Sequence, residues 1–414
     1  MHCPVFGICG GCAEFAEYSF AKKVSQVLEG FSPLMVENLA KKFPNFQHIP
    51  AFESKISNQG MAHFRARADF RFYTSKETSN QSLFFATNSL GQNNRIAIQS
   101  CPIVLEPIEC CMDALLSYLN ALEPSHILRH KLYGVSFLAS QSECIFSLIY
   151  HKNLDSAWES SARELMAHIN CTHKNFTSFV LGQSKGQKVI LERDYLLDNF
   201  SLYLDASTRS ELESNFELKK MSSFKKYALF SQPNPYANAN MSAFLLQEIP
   251  KILPNHKTCD LLELYCGSGN FTLILAQVFR QIFASEVVKD SIAILRHTLE
   301  FQHITNITIA RLNAKETQSA LKCKREFERL KGVDLDSFDF GAVLVDPPRS
   351  GINDKEILEF LAQFECIIYI SCNPLTLDSD LQSLLHTHKI ASFGFFEQFP
   401  YTHHIESIAI LTRI

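Results

Sequence analysis

Residues 259–287 read CDLLELYCGSGNFTLILAQVFRQIFASEV. CDLLELY (259–265) is a short apolar run of the kind that forms a strand buried on both faces. GSGN (267–270) follows as a turn, FTLILAQVFR (271–280) as a helix and QIFASEV (281–287) as a second strand. The alternation continues. KDSIAILRHTLEFQ (289–302) reads as a helix, and NITIARL (306–312), AVLVD (342–346), CIIYIS (366–371) and HHIESIAILT (403–412) read as strands. Strands separated by helices predict an α/β domain built on a parallel sheet.

The first half has a different period. HFRARADFRFYT (63–74) alternates apolar with polar residues, as a half-exposed strand does. LYGVSFLA (132–139), CIFSLIYH (144–151) and FSLYLD (200–205) read as further strands. Two domains are expected: an α+β domain over 1–225 and an α/β domain over 226–414, joined through SSFKKYALFSQPNPYANANM (222–241). The 414 residues carry a net charge of −4, so any nucleic-acid contact must come from local basic patches. No apolar run reaches the roughly 18 residues a membrane helix needs. The N-terminus lacks the pattern of a secretory signal. A cytoplasmic monomer is expected, with its 13 cysteines mostly reduced.

Gly267 and Gly269 let the chain turn tightly after the first strand, yet Thr272 stands where a third phosphate-loop glycine would be. Glu286, ending the next strand, is placed for ribose hydroxyls. An adenosine-type ligand without a pyrophosphate fits this pair: S-adenosylmethionine, with NAD as the alternative. Asp346 in VDPPRSG (345–351) ends a later strand at the same carboxyl edge. So does Cys372 in YISCNPLTL (369–377), before a helix whose N-terminus would stabilise a thiolate. A thiolate is a nucleophile for an electron-poor carbon such as carbon 6 of uracil, which in turn activates carbon 5 toward a methyl donor. A base must then remove the carbon-5 proton. Glu406, His403 and His404 are rival bases on the residues alone.

SQPNPYANANM, DLLELYCGSGNF, ASEV, VDPPRSG, YISCNPLTL and QFPYTHHIES, in this order, closely resemble the RNA uracil-5-methyltransferases, and among them the tRNA enzymes. The likeness is strong over about 225–414 and continues more weakly through HFRARADF, ILRHKL and YHKNLD. It implies a class I, Rossmann-like methyltransferase domain beside an N-terminal RNA-recognition domain. It also implies that Gln232, Tyr265, Asn270, Glu286 and Asp346 bind S-adenosylmethionine, that Cys372 is the nucleophile and that Glu406 is the base. The expected substrate is the T-loop uridine of tRNA, with tmRNA or rRNA as further partners. The competing readings are a 23S rRNA methyltransferase, an NAD-linked oxidoreductase with an iron–sulfur centre, and a non-catalytic RNA-binding protein stapled by metal.

CPVFGICGGC (3–12) supplies Cys3, Cys9 and Cys12, and SCPIVLEP (100–107) supplies Cys101 as a fourth thiol. Related rRNA uracil-5-methyltransferases look the same at these two stretches, which implies a [4Fe-4S] cluster; zinc is the rival. Those enzymes carry an RNA-binding barrel ahead of the motif. Here the motif begins at residue 3, so that module is expected to be absent. Three basic clusters are candidates for RNA contact: Arg65, Arg67 and Arg71; Arg129, His130 and Lys131; and Lys219, Lys220, Lys225 and Lys226.

Overall fold

A computed structural model describes residues 3–5, 7–12, 19–54, 62–74, 82–91, 94–200, 221–322 and 327–414. The chain divides into two units. One comprises 1–18, 55–199 and 222–236; the other comprises 19–54, 200–221 and 237–414. The division is interleaved and differs from a single cut at 225/226. Residues 19–54 join the second unit because their helices bury Phe20, Val24, Met35 and Leu39 in its core.

The helices are α1 (Phe20–Glu29), α2 (Pro33–Lys42), α3 (Glu106–Ala121), α4 (Ser156–Thr172), α5 (Pro235–Ile252), α6 (Thr272–Leu275), α7 (Lys289–Gln302), α8 (Ala314–Leu321), α9 (Lys355–Leu361) and α10 (Pro374–Leu384). The strands of the first unit are β2 (Arg67–Thr74), β3 (Leu83–Asn88), β4 (Arg95–Ile98), β5 (Leu132–Ala139), β6 (Glu143–Tyr150), β7 (Thr177–Ser184) and β8 (Gln187–Ile190), with β9 (Tyr195–Phe200) and β10 (Met221–Lys226) paired beside them. The second unit has β1 (Ala51–Phe52), β11 (Asp260–Leu264), β12 (Ile282–Ser285), β13 (Ile307–Ala310), β14 (Phe340–Val345), β15 (Cys366–Ser371), β16 (His388–Phe396) and β17 (Glu406–Arg413).

In the second unit the strand order is β1-β16-β17-β15-β14-β11-β12-β13. Successive side chains point to opposite faces. Leu262, Leu264, Val343, Val345, Ile367 and Tyr369 therefore meet α1, α2, α9 and α10 on one side, while Leu261, Leu344, Ile368 and Ile370 meet α5 and α7 on the other. Burial on both faces is why these strands read as unbroken apolar runs. The order reverses at β11, which lies between β14 and β12, and that reversal opens a crevice beyond the carboxyl ends of the strands.

The sheet is parallel except for β17, which runs antiparallel to both β15 and β16. The all-parallel expectation fails there because KIASFGFF, unread as a strand in the sequence, forms β16 and turns back as a hairpin. FTLILAQVFR is helical only over Thr272–Leu275. Of FSLYLD, 201–205 lie outside the described residues.

The first unit is α+β, as its period implied. Its sheet order is β4-β3-β2-β5-β6-β7-β8, antiparallel except between β6 and β7, where α4 makes the crossover. Trp158 of α4 is fully buried against β7. A Cβ added to Gly182 would stand 2.4 Å from Trp158 Cη2 and 2.6 Å from Leu154 Cδ1. Among the described residues no helix is long and apolar enough to cross a membrane.

Overpacking of a filled core typically costs about 1–3 kcal/mol. Gly182→Ala should lower the urea midpoint by that order with the m-value unchanged. A wild-type midpoint would show that Trp158 can yield.

Candidate active site

Strand register brings the site together. Leu264 lies opposite both Ser285 and Val345, Val345 opposite Tyr369, and Ser371 opposite Ser407. The residues just beyond these ends are Tyr265, Glu286, Asp346 and Cys372. Glu406 joins them because β17 runs the other way and begins where its neighbours finish.

After β11 the backbone is left-handed at Tyr265 (φ 62°), Gly267 (φ 55°) and Gly269 (φ 85°). Gly269 is further constrained, since a Cβ there would lie 2.3 Å from Leu295 Cδ1. Glu286 Oε2 accepts from Gly267 N at 3.0 Å, and Oε1 accepts from Val287 N at 2.7 Å and Val288 N at 2.8 Å. A carboxylate has about four lone-pair positions, and three backbone donors here use Glu286 to shape the loop. Asn270 and Asn238 exchange amide bonds of 2.7 and 2.9 Å. Val287 and Val288 stand exposed beside Glu286, an apolar surface that the sequence reading did not single out.

Cys372 lies half-buried between β15 and Asn373, the N-cap of α10. Ser371 Oγ accepts from Asn373 N at 3.1 Å and donates to Asn373 O at 2.9 Å, fixing the turn around the thiol. Burial first, then the charges of Glu406 and Asp346, push the Cys372 thiol up to about 11, with Arg349 opposing them. The thiolate expected from the helix N-terminus is opposed here, first by burial and then by the two neighbouring carboxyls.

Glu406 is buried, and burial followed by the charge of Asp346 pushes it up to about 8. Asp346 keeps part of its surface open yet sits deep enough that burial pushes it up to about 7. Glu263 of β11, also buried, is pushed up to about 8 by burial and then by Asp346, with the nearby Thr272 hydroxyl opposing. His403 is exposed. His404 is lowered by burial and then by Arg349, Lys23 and His403. Of the three rival bases, Glu406 is the one whose charge reaches the Cys372 thiol.

A residue missed in the sequence holds this edge in place. Asp380 Oδ2 accepts from Tyr369 Oη at 2.5 Å and Ile352 N at 2.7 Å, and Oδ1 accepts from Asn353 N at 3.2 Å. Arg349 O accepts from Thr376 Oγ1 at 3.3 Å and Asn373 Nδ2 at 3.4 Å. The PPRSG loop is thereby tied to β15 and to α10. Only the tertiary structure assigns Asp380 this task; in sequence it is one acid in a polar helix.

Gln232 belongs to the first unit and is buried there, so the second unit's edge is described without it. Cys3, Cys9, Cys12 and Cys101 also lie in the first unit. Among the described residues no group of three or more His, Cys, Asp or Glu side chains that could hold a metal ion is found. The four thiols nevertheless lie within reach of one another's charge. Burial pushes Cys12 up to about 12, with Cys101, Cys9 and Cys3 adding to it and Arg65 opposing. Gly11 N donates to Cys9 Sγ at 3.3 Å.

Several basic residues prove structural. Arg67 Nη2 donates to Leu229 O at 2.7 Å, buried Arg129 Nη1 donates to Leu122 O at 2.7 Å, and buried Lys225 pairs with Asp198 at 2.5 Å. Lys219 and Lys220 lie outside the described residues.

The doubly wound sheet, the glycine turn with its acidic partner and the reactive edge define a class I, S-adenosylmethionine-dependent methyltransferase. A profile of the tRNA (Uracil-5-)-methyltransferase family matches residues 35–414, and the chain belongs to that family. It is 44% identical to a tRNA/tmRNA (uracil-C(5))-methyltransferase of Helicobacter hepaticus, covering 100% of this chain and 99% of the relative. A protein of the same name from Wolinella succinogenes is 39% identical over the whole of both chains. Among solved structures, the tRNA (uracil-54, C5)-methyltransferase of Pyrococcus abyssi, in complex with S-adenosyl-L-homocysteine, shares the fold. Its TM-score is 0.60 at 14% identity, over 95% of this chain and 84% of that one.

Because the thiolate is the reactive form, alkylation of Cys372 by iodoacetamide should be slow at pH 7 and accelerate toward pH 11. Glu406→Gln removes a charge that holds the thiol up, so it should speed alkylation of Cys372 several-fold at pH 8. Peptide mapping isolates this cysteine from the others. An unchanged rate in the variant would mean that Glu406 does not govern the thiol.

Proposed function

We propose that the protein methylates carbon 5 of the T-loop uridine in tRNA, and of the equivalent uridine in tmRNA, through a covalent Cys372–uracil intermediate. What carries this reading is the convergence of Cys372, Asp346 and Glu406 on one edge, where each carboxyl acts on the thiol. Tyr265, Asn270, Glu286 and Asp346 are assigned to the methyl donor. S-adenosylmethionine, when bound, supplies an electrophilic methyl group.

The chain's own residues do the rest. Cys372 first gives up its thiol proton to solvent, and Sγ, as thiolate, adds to carbon 6 of the uracil. The displaced electron pair makes carbon 5 nucleophilic, and carbon 5 takes the methyl group. Glu406 then accepts the proton from carbon 5, the electron pair restores the 5–6 double bond, and Cys372 Sγ departs as thiolate. A carboxyl raised to about 8 is a stronger base than an ordinary one and is matched to this task. The reacting uridine must leave its stack to reach Cys372, which costs least in a loop.

The [4Fe-4S] assignment to Cys3, Cys9, Cys12 and Cys101 belongs to the same proposal and rests on the sequence resemblance, since among the described residues no group that could hold a metal ion is found. A cluster there would brace the N-terminal segment, since methyl transfer to carbon 5 needs no electron. Anaerobically purified protein should hold about four iron atoms per chain, and the Cys9→Ser/Cys12→Ser double variant none. Zinc, or no metal, in the purified protein would overturn the assignment.

Transfer RNA carrying 5-fluorouridine, incubated with protein and S-adenosylmethionine, should give an adduct stable on a denaturing gel. Fluorine cannot leave carbon 5 as a proton. Cys372→Ala should abolish the adduct. With ordinary tRNA, Glu406→Gln should slow turnover by about 10²–10⁴-fold and trap methylated RNA on Cys372. An adduct formed only with an rRNA fragment would move the substrate to the ribosome. No adduct with either RNA would sink the covalent route.

A further inference from the structure

The sheet of the first unit carries a site that methyl transfer does not use. One face of this sheet is packed by α3 and α4. On the other, Leu138, Ile145, Phe179 and Leu181 pack with Leu196 and Tyr227 at one end only. Toward β2, β3 and β4 the described residues leave a hollow of about 260 Å³, bordered by Asp69, Arg71, Asn88, Arg95 and Tyr133. Pairing sets its walls: Arg71 stands between Ala86 and Gly134 on the neighbouring strands, and Arg95 lies opposite Asn88.

The chemistry of this hollow is specific. The exposed Arg71 guanidinium lies 5.2 Å from the Tyr133 ring centroid, and the His151 ring meets Tyr133 edge-on at 4.4 Å. Lys131 is exposed beside them, its carbonyl accepting from His151 N at 3.0 Å. The single carboxylate in the wall, Asp69, is engaged by the Ser136 hydroxyl. Positive charge therefore dominates, around an aromatic ring. The volume falls below the 300–1,000 Å³ or so of pockets that enclose small ligands. A second hollow of about 690 Å³, lined by Gly10, Gly11 and residues 87–91, shares Thr87 and Asn88 with the first. Two shallow hollows end to end suit a strand laid across the surface. Guanidinium groups beside an aromatic ring suit a phosphodiester backbone with an unstacked base.

We propose that this face binds an unstacked nucleotide of the RNA substrate other than the reacting uridine, with its base on the Tyr133–Arg71 pair and its phosphates on Arg71 and Arg95. The proposal rests on the RNA-modifying reading above. It is tested by fluorescence anisotropy with labelled tRNA across a salt series, using Tyr133→Ala, Tyr133→Trp and the Arg71→Ala/Arg95→Ala double variant. Tyr133→Ala should weaken binding about fivefold or more, and Tyr133→Trp should restore it. The double variant should lower the slope of log Kd against log salt by about 2. In both alanine variants KM for tRNA should rise, while kcat and the adduct yield at saturating RNA stay at wild-type values. Wild-type affinity and salt slope in these variants would overturn the proposal. A wild-type protein that binds tRNA through these residues but methylates no uridine would instead overturn the reaction and leave this surface standing.

Discussion

The Asp380 carboxylate gathers hydrogen bonds from the Tyr369 hydroxyl and from the backbone N–H groups of Ile352 and Asn353. A charge taken from water is costly unless donors replace the solvent, and here three do. The donors come from two parts of the crevice wall. Tyr369 precedes Cys372 on β15, Ile352 and Asn353 close the loop that begins at Asp346, and Asp380 itself rides on the helix capped by Asn373. Gly351 completes the arrangement, because its φ of +75° suits glycine and a Cβ would press to 2.8 Å from Asp380 Oδ2. Two residues along, Asp378 accepts from Ser32 N and Oγ at 2.8 and 2.6 Å, fixing the start of α2 to the same helix. One helix thus ties the strand that leads to Cys372 to the loop that begins at Asp346.

What that clamp holds together is electrostatically uncomfortable. Glu263, Asp346 and Glu406 crowd one edge, each raised by burial, and burial together with Glu406 and Asp346 also raises the Cys372 thiol. Such crowding disfavours stability and favours function, since groups whose ionisation is finely balanced respond strongly to a cation or an electron-poor ring arriving among them.

The sequence disclosed the parts of this design that depend on local pattern. Strands buried on both faces announce themselves as apolar runs, and turns announce themselves by glycine, so the sheet edge and the positions of Glu286, Asp346 and Cys372 were legible. What stayed hidden depends on distant partners. KIASFGFF lacks clean alternation, so β16 and the reversed direction of β17 were missed. Arg67, Arg129 and Lys225 look like surface charge until the carbonyls and the carboxylate they serve are seen. The surroundings of Cys372 stayed hidden too, because a helix end is visible in sequence and burial beside two converging carboxyls is not.

The interleaved chain path has a consequence for biogenesis. Ser32 and Asp378 are 346 positions apart, Ser54 and Glu397 343 apart, and β1 finds its partner only in β16. The strand that joins β15 to β16 is β17, made later still. At synthesis rates of about 5–20 residues per second, α1 and α2 wait tens of seconds with Phe20, Met35 and Leu39 uncovered. The catalytic sheet then closes through contacts of high sequence separation, which form slowly. During that interval the nascent chain leaves apolar surface uncovered, and a C-terminal fragment starting at 226 would lack α1, α2 and the edge strand β1.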